Sequence, residues 1–233
     1  FACFFSLWYN GRATGKDGGS MAVQAVLFDL DGTLLNTLAD IADSMNKALS
    51  ESGLMQHPLE AYRYFVGDGV KELAMRATGF NAQAAPGVLK KYQAYYAAGC
   101  RNKTQPYEGV LDMLSKLNRL GLPVCVLSNK PHADTLNVTA YYFPKIDFAI
   151  VRGQQEGVPV KPDPTGANRI ATEMGLPPEH FLYVGDTAVD MDCARNAGMV
   201  PVGALWGFRP REELETHRAR HLIAHPGELL ALV

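Results

Sequence analysis

Cysteine is scarce in this chain: four in 233 residues. None of Cys3, Cys100, Cys125 and Cys193 forms a CxxC pair or stands at zinc spacing from a histidine. That argues against a disulfide-stapled scaffold and against a thiolate metal centre. Cys125 lies in an apolar run and reads as a small hydrophobe. All four are expected to be reduced and inert, which suits a cytoplasmic protein. An excess of one charge is missing too, since 22 Lys+Arg face 24 Asp+Glu and leave a net charge of -2. A nucleic-acid partner would call for a basic surplus. Also absent is any apolar run of the roughly 18 residues that a membrane span needs. What remains is a chain with 47% hydrophobic residues, enough to bury a core without covalent help.

The first twenty residues, FACFFSLWYNGRATGKDGGS, stand apart. An aromatic cluster gives way to a Gly-rich polar stretch before Met21. No positive charge precedes Phe4-Phe5, so a secretory signal is a poor fit. Residues 1–20 are expected to be a leader foreign to the natural protein. The rival reading is a native aromatic extension that docks on the surface.

From Met21 onward, apolar runs alternate with helix-like stretches. Strands are expected at Val23–Phe28, Val124–Leu127, Phe181–Val184, Met199–Gly203 and Phe148–Val151. Helices are expected at Gly109–Leu120, Ala133–Tyr142, Pro164–Met174 and Thr187–Ala197. Such alternation predicts βαβ units around a buried parallel sheet, an α/β fold. The segment from Thr37 to Lys103 breaks the rhythm: it is rich in Ala, Leu, Met and Tyr, with amphipathic windows and no convincing strand. It is expected to form a helical domain (37–103) inserted into a core made of 21–36 and 104–233. The insert is mildly basic and the core acidic.

In an open parallel sheet, reactive groups collect beyond the carboxyl ends of the strands. The first strand ends in Asp29-Leu30-Asp31-Gly32-Thr33, where extended backbone turns Asp29 and Asp31 the same way. The third ends in Gly185-Asp186-Thr187, with Asp190 four residues after Asp186 on one helical face. Four converging carboxylates raise one another's proton affinity unless a cation joins them, and hard oxygen donors favour Mg²⁺. Asp29, Asp31, Asp186 and Asp190 are therefore the candidate metal residues. Lys161, in the Pro-flanked turn VKPDP, supplies a nearby positive charge. Ser128 and Asn129 offer a hydroxyl and an amide to phosphate oxygens. A carboxylate nucleophile, a second carboxyl group, a hydroxyl, a lysine and a metal site suit phosphoryl transfer.

These segments resemble the four ordered motifs of the haloacid-dehalogenase superfamily: DLDGT at Asp29–Thr33, LSNK at Leu127–Lys130, Lys161 in KPDP, and GDTAVD at Gly185–Asp190. The insert resembles that superfamily's C1-type cap. Within the superfamily the chain looks most similar to phosphoglycolate phosphatases, through YRYFVGDGVKEL at Tyr62–Leu73, PYEGV at Pro106–Val110 and LWGFR at Leu205–Arg209. The resemblance implies a Rossmann-like core with a helical cap. It also implies a Mg²⁺-dependent phosphatase acting on a small phosphorylated metabolite, as a monomer or homodimer. Asp29 would attack phosphorus and Asp31 would act as acid and then base. Mg²⁺ would be held by the Asp29 carboxylate, the Asp31 carbonyl and Asp186, with Asp190 acting through water or by positioning Lys161. Ser128 and Lys161 would bind the transferring phosphoryl oxygens, and Thr33 is counted among the substrate-binding residues.

Alternatives stay open at this point. A sugar-phosphate mutase of the same superfamily would return the phosphoryl group to its substrate, and a phospho-acceptor signalling domain gathers a similar set of groups. A dehalogenase is disfavoured by Asp31, because a departing halide needs no proton. In the insert, Gly67-Asp68-Gly69 reads as a tight turn whose backbone N–H groups, with Lys71 or Arg63, would meet the non-phosphate end of the substrate. Two arrangements are set aside. Ser128, His132 and Asp134 crowd the start of one helix and cannot form a serine–base–acid chain. His217, His221 and His225 recur every four residues, but Leu222-Ile223 reads as strand and Pro226 interrupts the spacing.

Overall fold

Ala25-Val26-Leu27-Phe28 has no polar side chain to offer water, and such a strand is stable only with both faces covered. In the computed structural model, which describes residues 22–233, this run is β1 (Ala25–Phe28) and every residue is buried. The proposed leader lies outside the described residues. β4 (Val124–Pro131) and β6 (Phe181–Gly185) flank β1 in parallel, with Leu27 opposite both Cys125 and Tyr183. β5 (Ile150–Gln154), β7 (Val200–Ala204) and β8 (His221–Ile223) complete a six-stranded sheet in the order β5-β4-β1-β6-β7-β8. All its pairings are parallel.

Alternation along β1 separates the two faces. Ala25 and Leu27 join Ala167, Ile170 and Ala194, which belong to α7 (Thr165–Met174) and α8 (Ala188–Asn196). Val26 and Phe28 join the larger cluster with Met113, Leu114 and Leu117 of α5 (Val110–Arg119). Each large side chain buried in these layers stabilises the fold by about 1.5–3 kcal/mol relative to exposure. α6 (His132–Tyr142) and α9 (Arg211–Thr216) complete the outer layers.

One strand outruns its expected end. An apolar criterion stops β4 at Leu127, yet the extended backbone continues through Ser128, Asn129 and Lys130 to Pro131. These three polar residues are buried too, only slightly less than the Val residues before them. They are inside because partners meet them there, a condition that hydrophobic patterning cannot register.

A second sheet was not anticipated. β2 (Leu35–Asn36) and β3 (Gln105–Pro106) pair antiparallel, and two residues each are too few to carry a period-two pattern. They form two legs beneath four helices: α1 (Leu38–Ser50), α2 (Leu59–Phe65), α3 (Val70–Ala77) and α4 (Ala85–Gly99). α1 buries Leu38, Ile41, Ala42, Met45, Ala48 and Leu49, one helical stripe. α4 presents Val88, Tyr92 and Tyr96 at four-residue spacing. Asp40 ties the start of α1 to the returning leg, accepting from the Thr104 N–H (2.9 Å), the Thr104 hydroxyl (2.8 Å) and the Lys103 N–H (3.0 Å). Those bonds make burial of this carboxylate tolerable. Among the described residues no helix is long and apolar enough to cross a membrane.

Candidate active site

The carboxyl ends of β1, β4 and β6 meet at one place, and the acids of the sequence motifs meet there. The Asp29 N–H donates to the Val184 carbonyl at 2.9 Å, which locks the exit of β1 against β6. Asp186 is held on several sides. It accepts from the Thr33 hydroxyl (2.8 Å) and the Phe208 N–H (2.7 Å). A Cβ on Gly32 would lie 2.3 Å from its carboxylate and one on Gly207 2.5 Å from it, so only glycine permits either approach. Gly32 also has φ +93, a conformation that side chains disfavour. Thr33, expected to bind substrate, donates its hydroxyl to Asp186.

Lys161 lies at the centre. Its ammonium donates to Asp29 Oδ1 and Asp190 Oδ1, both at 2.7 Å. The side-chain amide of Asn129 grips the Lys161 backbone reciprocally, accepting from its N–H at 2.8 Å and donating to its carbonyl at 3.1 Å. The same amide nitrogen donates to the Gly67 carbonyl at 2.9 Å. Asn129, expected to meet phosphate oxygens, is therefore committed to holding Lys161 and the insert loop. Asp190 has both oxygens engaged: besides Lys161, its Oδ2 accepts from the Thr187 hydroxyl (2.7 Å) and N–H (3.1 Å), half of the capping box that starts α8.

Burial dominates the electrostatics. It pushes the Asp29 carboxyl up to about 7, with Lys161 opposing and Asp190 reinforcing. Burial, then Asp190 and Asp29, hold Asp186 well above the usual carboxylate range. Burial works against the charge on Lys161, but Asp190 and Asp29 outweigh it and raise the ammonium's proton affinity. These buried acids are short of positive charge. One oxygen from each of Asp29, Asp186 and Asp190 lies within 4.8 Å of the others. An all-oxygen donor set, in which burial raises the proton affinity of Asp29 and Asp186, fits a hard divalent cation such as Mg²⁺.

Above the acids is a cavity of about 40 Å³, room for only a few water-sized groups. Its floor is Asp29, Asp31, Ser128, Asn129 and Lys130, and its roof is the apolar Ile41, Val66, Val70 and Leu73 with Tyr92 and Tyr96. Gly67 and Gly69 line it as well, at φ 127 and 92. Lys71 does not line it and is exposed. Arg63 does not line it either; its guanidinium donates to the Gly207 and Phe208 carbonyls, both at 3.3 Å. Arg209 reaches the other way, to the Val66 carbonyl at 3.2 Å. The two arginines latch the helical insert to the loop that holds Asp186.

Sequence reasoning assigned no role to Lys130. Its buried ammonium pairs with both oxygens of Asp31, at 3.0 and 2.9 Å. The available signal was a lysine two residues beyond Ser128 in a strand continuing past its apolar part. Neither rejected arrangement assembles, although Ser128 and Asp134 separately line the cavity. His132 Nδ1 accepts from the Gly153 N–H, and His217 pairs with Asp192. His225 caps its own turn through Gly227.

A parallel sheet with acids beyond its central strands, a helical insert over them and a buried lysine between them defines a class of hydrolase folds. The family model for "Haloacid dehalogenase-like hydrolase" matches residues 26–204, and the chain belongs to that family. Among curated relatives, a phosphoglycolate phosphatase from Mesorhizobium japonicum is 29% identical over 200 residues, covering 84% of this chain and 88% of the relative. One from Mannheimia succiniciproducens is 32% identical over 190 residues, covering 78% and 85%. The crystal structure of a predicted phosphoglycolate phosphatase from Haemophilus somnus superposes with a TM-score of 0.86 at 25% identity, covering 92% of this chain and 99% of that one.

Proposed function

We propose that this chain is a Mg²⁺-dependent phosphatase that hydrolyses a small phosphomonoester, with 2-phosphoglycolate the favoured substrate. The observation that carries the reading is the convergence of Asp29, Asp186 and Asp190 around Lys161 beneath a partly roofed cavity. The names of the relatives favour phosphoglycolate among such esters.

The Asp29 carboxylate attacks phosphorus to form an aspartyl-phosphate while the P–O bond to the leaving alcohol breaks. Asp31 gives that departing oxygen its proton. It then takes a proton from the water that hydrolyses the intermediate and returns Asp29 to its carboxylate. Lys161 and the Ser128 hydroxyl stabilise the negative oxygens of the transferring group, each worth about 3 kcal/mol by comparison with oxyanion-type donors. Asp29, Asp186 and the main-chain carbonyl of Asp31 would hold Mg²⁺, with Asp190 behind Lys161. The ion, when bound, supplies positive charge that lowers the repulsion between the carboxylates and the incoming phosphate. The helical insert covers the site and keeps bulk water away during attack.

A mutase is disfavoured because the similar proteins named above are phosphatases. A roofed site also suits a signalling domain poorly, since its phosphorylated face must reach partners. The test is a phosphate-release screen over 2-phosphoglycolate, sugar phosphates, nucleotides and pyrophosphate, with Mg²⁺ and with chelator. Release from 2-phosphoglycolate that stops with chelator is expected. Release indifferent to chelator, or confined to sugar phosphates with a bisphosphate activator, would overturn the reading.

A further inference from the structure

We propose that Lys130 recognises the leaving end of the substrate, and that this end carries a carboxylate on a short chain. The proposal rests on the phosphatase reading above and adds the residue that selects the substrate.

Among the described residues lining the cavity, Lys130 is the single cationic side chain. Lys161 faces the acids from beneath, and Lys71 and Arg63 are directed elsewhere. An anionic leaving group enclosed here has one ammonium to meet, and a buried anion without one is strongly disfavoured. The donor inventory of Lys130 is incomplete as well. An ammonium has three N–H groups. Asp31 takes donors at 3.0 and 2.9 Å, and no further acceptor among the described residues is hydrogen-bonded to the nitrogen. Instead it lies 4.5 Å from the centroid of the Tyr96 ring. Tyr96 lines the same wall, and its own buried hydroxyl has no partner. An ammonium with a donor to spare and an unsatisfied hydroxyl on one wall suit the oxygens of a carboxylate.

The placement is rigid. Lys130 is on the extended tail of β4, and its carbonyl accepts from the Thr135 hydroxyl at 3.2 Å. A Cβ on Gly153 would come within 2.5 Å of that carbonyl, so the neighbouring strand packs directly on it. Asp134 bounds the same wall. A carboxylate that reached past Lys130 would meet this like charge, so the chain between phosphate and carboxylate has to be short. Because Lys130 also touches Asp31, it bridges the residue that protonates the leaving oxygen and the far end of the same leaving group.

The test compares 2-phosphoglycolate with ethyl phosphate, which has the same chain length and no carboxylate, in wild type, Lys130→Met and Lys130→Arg. Expected for Lys130→Met is a rise in KM for 2-phosphoglycolate on the order of 30-fold, the loss of one charged hydrogen bond. The KM for ethyl phosphate should change by less than about threefold. Lys130→Arg should recover part of the difference. If Lys130 only positions Asp31, kcat falls equally for both esters and their kcat/KM ratio is unchanged, which overturns the proposal. Should Lys130→Met fail to fold, wild type and Tyr96→Phe carry the test. Wild type should prefer 2-phosphoglycolate by at least about tenfold in kcat/KM, and Tyr96→Phe should narrow that preference. Equal use of both esters by wild type would overturn the role of Lys130 while leaving the phosphatase intact. Release from neither ester would instead remove the phosphatase reading itself.

Discussion

The floor and the roof of the cavity are built on opposite principles. On the floor, nearly every polar group is tied to another: Lys161 to Asp29 and Asp190, Asp190 to Thr187, Asp186 to Thr33 and Phe208, Asn129 to Lys161. The roof is aliphatic and aromatic, with the Tyr96 hydroxyl left unpartnered. A network with few spare bonds holds its atoms within tenths of an ångström, as attack on phosphorus requires. An apolar roof excludes water and sorts leaving groups by size, and needs no such precision. The proposed function thus puts chemistry in the sheet and selection in the insert, with Lys130 at the seam.

That division is broken most severely at Asp29. Asp29→Asn should lower kcat more than about 10³-fold while the circular dichroism spectrum stays native, since the side chain keeps its volume. Lys161→Met comes next. Turnover should drop about 10²–10³-fold, and stability by about 3–5 kcal/mol in urea titration, because Asp29 and Asp190 lose their shared buried cation. Asp190→Asn separates two tasks of one residue. The amide oxygen can still cap α8, but its NH2 group then faces the Lys161 ammonium, so the melting temperature should fall measurably and loss of the charge should lower kcat about tenfold.

Cation-free protein should respond to pH in a defined sense. Asp29 binds its proton more tightly in the fold, up to about 7 against 3.8 for an ordinary aspartate. Between those values the folded state holds the extra proton, so the stability from this group is present at low pH and is lost as pH rises to about 7. Thermal melts in chelator should show that decline, and Mg²⁺ should restore stability most at the alkaline end. The smallest effect belongs to the latch. Arg63→Ala removes two long hydrogen bonds and should raise KM about two- to fivefold with kcat retained, read by steady-state kinetics.

The sheet was legible because β1 and β6 are uninterrupted apolar runs, each followed at once by Asp or Gly-Asp. Asp29, Asp186 and Asp190 were legible for the same reason, since strand ends converge by topology whatever the side-chain packing, and Lys161 was legible from its Pro-flanked turn. β2 and β3 were not, being too short for any period. Thr33 and Asn129 were placed in the right neighbourhood, but their bonds to Asp186 and to the Lys161 backbone were not foreseen, because a hydroxyl or an amide suits many polar partners alike. Lys71 was a surface lysine beside a glycine turn, and its exposure depends on how α3 packs. Lys130 was missed because a lysine within a strand reads as an edge or loop residue until its partner Asp31, far away in sequence, is seen against it.

The central claim, that Asp29 carries the phosphoryl group, is tested most directly by rapid acid quench of Mg²⁺-loaded enzyme with phosphorus-labelled 2-phosphoglycolate, followed by peptide mapping. Label should appear on the peptide containing Asp29 within one turnover and disappear when unlabelled substrate is added. Turnover with no labelled peptide, or stable label on another residue, would contradict it.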